Sequence, residues 1–141
     1  MRFAAHISSP SLIVDETRAR MPEVYAPEPV HANAWCYYFE KADLARQFGD
    51  WQEVVSIADS AFKLDEHPHD PVERFVFIEG YAHVGDWQRA IELSQESHQV
   101  SENDVGPVLC VLWKRIEAET VESVERSGAL SEVKSMFACN P

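Results

Sequence analysis

The chain has 141 residues, 45% of them apolar, with 24 Asp+Glu against 12 Lys+Arg and a formal charge of −12. A domain of this size removes roughly two-thirds of its unfolded surface from water, so it can hold a core without metal or disulfide staples. The acidic excess, with no Lys/Arg cluster anywhere, excludes nucleic-acid binding. No apolar run approaches the ~18 residues of a membrane span, and residues 1–9 lack the basic start and apolar stretch of a signal peptide. The expectation is a soluble chain with no direct membrane insertion.

Residues 1–30 hold Pro10, Pro22, Pro27 and Pro29, which break helices and push the preceding residues into extended or turn geometry. They predict an extended N-terminal arm, in which Ser11-Leu12-Ile13-Val14 is a short strand candidate without an evident partner. From His31 the apolar residues recur at helical spacing. Trp35, Tyr38, Phe39, Ala42, Ala45 and Phe48 make one stripe, and Gly49-Asp50 then supplies a left-handed stop followed by an N-cap. Trp51, Val54, Ile57, Ala58 and Ala61 mark a second helix, ending before Pro68 and Pro71.

The unit then repeats. Gly49-Asp50-Trp51-Gln52 recurs as Gly85-Asp86-Trp87-Gln88, 36 residues on, and the same shift lays Phe39 on Phe75, Asp43 on Glu79 and Val55 on Ile91. Helix three is predicted from about Pro71, with Asp70 as its cap, to Val84, and helix four from Trp87 to about His98. A third, divergent hairpin opens at Pro107 and runs to about Arg126, breaks at Ser127-Gly128, and ends in a short helix around Leu130 to Phe137. The prediction is all-α: about six helices in stacked hairpins over 31–64, 71–99 and 107–138, preceded by the arm. Residues 31–141 also hold −11 of the −12 charge.

The period and the Gly-Asp-aromatic turn resemble the tetratricopeptide repeat, with Ala42 and Tyr81 on positions of its first helix and Ala61 and Ala90 on small positions of its second. Tyr38, Arg74, Lys41 and Ser94 depart from its pattern. The resemblance implies a ligand groove lined by the first helix of each hairpin, and for this chain the groove residues become Phe39, Asp43, Arg46 and Gln47, then Phe75, Glu79 and His83. A Phe followed by a carboxylate in each unit suits a peptide partner of basic or mixed charge. A separate likeness of Trp35 to Ala45, Gly49-Asp50-Trp51 and Phe77 to Ala82 is to the soluble C-terminal region of bacterial multispanning membrane proteins of the glycosyltransferase type. It implies an accessory domain without the catalytic part.

Motifs for catalysis are missing: there is no Gly-x-Gly-x-x-Gly, Walker, Gly-x-Ser-x-Gly or His-Glu-x-x-His sequence. His67-Pro68-His69-Asp70 has metal-ligand residue types but no second cluster at ligand spacing, so no metal and no cofactor is expected. Cys36, Cys110 and Cys139 are odd in number and scattered, the usage of a reducing compartment, and predict a cytoplasmic protein. Cys36 and Cys110, among aromatic and aliphatic neighbours, are expected as buried inert thiols. Trp51 and Trp87, at equivalent turn positions, are expected to wedge the hairpins together. The reading that results is a non-catalytic protein or peptide interaction module, with a self-associating scaffold as a rival because a short stack leaves an apolar end for a homodimer to close.

Overall fold

The computed structural model describes residues 34–64, 68 and 70–139, of which 102–104 by their backbone alone. The predicted arm and its strand candidate lie outside the described residues, as do His67 and His69. Six α-helices follow in chain order: α1 Trp35–Gln47, α2 Trp51–Ala61, α3 Phe75–His83 after a 3-10 turn at Pro71–Arg74, α4 Trp87–Val100, α5 Glu102–Glu119 and α6 Val124–Met136. Among the described residues there is no strand.

The two Gly-Asp turns close their helices identically. Gly49 and Gly85 take φ of 70° and 86°, the left-handed region that glycine enters without penalty. The amides of Gly49 and Asp50 then donate to the carbonyls of Arg46 and Ala45 at 2.9 and 3.0 Å, and those of Gly85 and Asp86 to Ala82 and Tyr81 at 3.1 and 2.9 Å. Asp50 and Asp86 each accept, at 3.1 Å, the amide three residues on, capping α2 and α4. Asp70 caps the 3-10 turn by accepting the Val72 amide.

α3 is the central helix, with every residue from Val76 to Ala82 buried. Phe77 packs edge-on against Trp35 and Phe62, with ring centroids 5.6 and 5.3 Å apart, and so ties α3 to the first hairpin. Trp35 Nε1 donates to the Glu73 carboxylate at 2.7 Å. Gly80 lies so close to α2 that a Cβ there would fall 2.4 Å from Val54 Cγ1. α5 docks on α4 through Trp113, whose Nε1 donates to Ser94 Oγ at 3.0 Å.

The third hairpin departs from expectation in its boundaries. α5 begins at Glu102, so Pro107 sits inside it; Ser101 is the non-helical residue before it and burial of Val105 anchors the extra turn. α5 ends at Glu119, and Ser127-Gly128 lies within α6. Ser123 supplies the cap, accepting the Arg126 amide at 3.1 Å, and Arg126 donates back to the Glu117 carbonyl. Glycine in a helix costs about 1 kcal/mol, which burial of Ala129, Leu130 and Val133 on one face of α6 outweighs.

The cysteines also need correction. Cys36 is exposed, and Cys110 is bonded to Cys139 with Cα atoms 5.5 Å apart. Ala138 takes a left-handed φ of 49° and the Cys139 amide donates to the Lys134 carbonyl, which turns the chain after α6 back toward α5. Trp51 and Trp87 are half-buried against the core rather than enclosed in it, and Trp51 reaches the next hairpin by stacking on His83.

Candidate functional site

The last residues of α1, α3 and α5 are Gln47, His83 and Glu119, each 36 positions after the one before. The 36-residue spacing of these helix ends thus extends to α5, although the Gly-Asp-Trp turn does not recur there. α3 lies against both α1 and α5, so equivalent positions on the three helices form rows across one face. The predicted groove residues all fall on this face.

Two rows are apolar. Cys36, Val72 and Val108 make the first, with Cys36 exposed and the valines 42% and 44% exposed. Phe39, Phe75 and Val111 make the second; the two phenylalanines are half-buried against the core and Val111 is 69% exposed. The rows lie in the first half of α1, at the 3-10 turn and start of α3, and in the middle of α5.

The next two rows are polar and mutually paired. Asp43 accepts from Arg46 Nη2 at 2.7 Å and from Gln47 Nε2 at 2.9 Å. Burial opposes its charge, yet the Arg46 and Gln47 hydrogen bonds hold its carboxyl below the ordinary value. Arg46 Nη1 reaches on to Glu79 Oε2 at 3.9 Å. Glu79 is fully buried on α3 and accepts from Arg115 Nε of α5 at 2.6 Å. Burial pushes its carboxyl up, while the Arg115 and Arg46 guanidiniums pull it back. The carboxylate expected to face a basic partner is thus enclosed between two arginines of the neighbouring helices.

His83 stacks on the Trp51 ring, centroids 3.8 Å apart and planes within 5°, and its Nε2 stands 3.6 Å from Glu119 Oε2. Burial lowers its pKa, against the pull of Glu119. A cavity of about 280 Å³ beside this pair also touches Thr120 and Ser123. Both hydroxyls serve helix ends: Thr120 donates to the Ile116 carbonyl and Ser123 accepts from Arg126. Among the described residues no group of His, Cys, Asp or Glu is placed to hold a metal ion.

Arg115 and Glu119 were not singled out from the sequence. The signal was present, since Asp43, Glu79 and Arg115 are spaced by 36, as are Gln47, His83 and Glu119. It was masked by the missing turn motif and by the change from carboxylate to guanidinium at the third step.

Among the described residues the fold is all-helical, and α1, α3 and α5 lie side by side with an apolar strip and a set of ion pairs across them. No family model matches the chain, and no curated protein or solved structure is significantly similar to it.

Proposed function

We propose that the chain is a non-catalytic interaction module built from three tetratricopeptide-like hairpins, which binds a segment of another protein along the face of α1, α3 and α5. The observation that carries this reading is the apolar strip Cys36/Phe39, Val72/Phe75 and Val108/Val111, in which Cys36 and the three valines are exposed beside phenylalanines half-buried on the core. The 36-residue spacing of the helix ends supports the repeat, as does the way α3 packs on α1, α2 and α4.

The strip takes apolar side chains of the partner, and the net charge of −12 favours a basic or mixed-charge segment. Asp43 and Glu79 act here as a brace that fixes three helices in register, more than as contacts for the ligand. No helix among the described residues is long and apolar enough to cross a membrane. A cytoplasmic setting is in tension with the Cys110–Cys139 bond, which an oxidising compartment maintains.

The test is selection of peptides from a random displayed library on the full chain, followed by titration of the selected peptides against variants. Val72→Glu and Val111→Glu, both at exposed positions, should each weaken binding about tenfold or more, about 1.4 kcal/mol, while Leu44→Glu, on another face of α1, leaves it unchanged. A library that yields no binder, or binders indifferent to both valine substitutions, overturns the reading.

A further inference from the structure

α3 and α5 each bury one face against the hairpin before them. On α3 and the 3-10 turn before it that face is Glu73, Phe77 and Gly80, which meet Trp35, Phe62 and Val54. On α5 the same register gives Leu109, Trp113 and Ile116, all buried, with Trp113 bonded to Ser94 of α4. The equivalent positions on α1 are Tyr37, Lys41 and Leu44, and one turn further Phe48. No earlier hairpin covers them among the described residues: Leu44 is 55% exposed and Phe48 81%.

This face carries its own charge pattern. Leu44 and Phe48 line a depression of about 320 Å³ together with Lys41, two turns before the end of α1, and Asp50 and Glu53 at the start of α2. Lys41 stands 5.6 Å from the Tyr37 ring, and among the described residues neither it nor the Glu53 carboxylate takes part in an ion pair. A two-fold axis through Leu44 and Phe48 would set two α1 helices antiparallel. Each Lys41 would then face the other copy's Glu53, giving two such contacts around a centre of two Phe48 and two Leu44 side chains.

We infer that this face is the contact surface for a second copy of the same chain, an isologous dimer through α1. The charge pattern selects this occupant, because a patch with a cation at one end and carboxylates at the other complements itself only on inversion. The opposite end of the molecule suits this less well, since there Lys134 is already paired with Glu117 at 3.2 Å.

Sedimentation of the full chain across the micromolar range tests it. The wild type should reach twice the chain mass with rising concentration. Phe48→Glu should remain a monomer with unchanged helix content, as expected for so exposed a position. Lys41→Glu and Glu53→Lys should each be monomers alone, and their mixture should restore the dimer, because only the mixed pair sets opposite charges at both contacts. A wild type that stays monomeric overturns the inference and assigns the face to another occupant. A dimer that survives Phe48→Glu, or charge variants whose mixture stays monomeric, overturns it equally.

Discussion

The outer faces of the first and last hairpins answer the same problem in opposite ways. A stack of equivalent units leaves two faces that inner units would cover, and each must be made compatible with water or given a partner. At the C-terminal end the sequence substitutes. Where the first hairpin has buried Ala42 and Ala45, and the second buried Ile78 and Tyr81, the third has Lys114 and Glu117. Phe62 meets Phe77 of the next unit and His98 meets Phe137, but their equivalent Lys134 turns to Glu117 within its own hairpin. The Cys110–Cys139 bond then fastens α5 to the segment after α6, beside a cavity of about 290 Å³ floored by Trp113 and Leu130. The N-terminal end makes no such substitution and leaves Leu44 and Phe48 in the open. Chemically, one end is finished and the other is prepared for contact.

The contrast is broken most easily at the finished end. Cys110→Ser opens a bond between residues 29 apart in sequence, a loop whose closure is worth about 3–4 kcal/mol in the chain-entropy account. Calorimetry should show a matching fall in Tm, and reductant should lower the wild type but not the variant. A wild type insensitive to reductant would mean that the last hairpin is held by its packing alone.

A single register position then separates inside from outside along the series. Gly80→Ala gains about 1 kcal/mol of helix propensity but forces a methyl onto Val54, at an overpacking cost of about 1–3 kcal/mol, for a net loss of up to about 2 kcal/mol. Leu44→Ala, at the equivalent position of α1, should stay within about 0.5 kcal/mol under dilute conditions, as exposed positions do. Denaturant midpoints of the two variants measure the difference directly. Equal losses would place Leu44 under cover and remove the contrast.

The smallest effect concerns the middle of the face, where His83 lies between Gln47 and Glu119. Its folded pKa is lowered by burial, so below the ordinary value the unfolded chain binds a proton that the folded state resists. The stability is present above that value and is lost as pH falls through the histidine range. Tm should decline between about pH 7.5 and about pH 5.5, and less so in His83→Gln. A rising Tm would mean that Glu119 dominates and the pKa shift has the opposite sign.

How much was legible in the sequence differs along the chain for physical reasons. Both Gly-Asp turns, their caps and the helices beside them followed from local chemistry, because a left-handed glycine and an aspartate cap act within four residues. The third hairpin was read less well. Gly128 and Pro107 are breakers by propensity, and burial of Ala129, Leu130 and Val105 overrode them. For the candidate site, the residues named from the sequence lie on α1 and α3, which pack side by side, but the contacts that Arg115 and Glu119 of α5 make with them were missed, as was the enclosure of Glu79.

What the sequence determined by itself is local: amphipathic helices and the two Gly-Asp turns, 36 residues apart, that reverse them, all set by short-range backbone and side-chain preferences. Only the tertiary structure decided which charges are spent. Glu79 and Arg115 lie 36 residues apart on different helices, and the stacking of α3 against α5 brings them within 2.6 Å. The same stacking seals Phe77 and Trp113 and leaves Phe48 bare. Periodicity defines equivalent positions, but whether a position is core or surface depends on whether another unit lies against it.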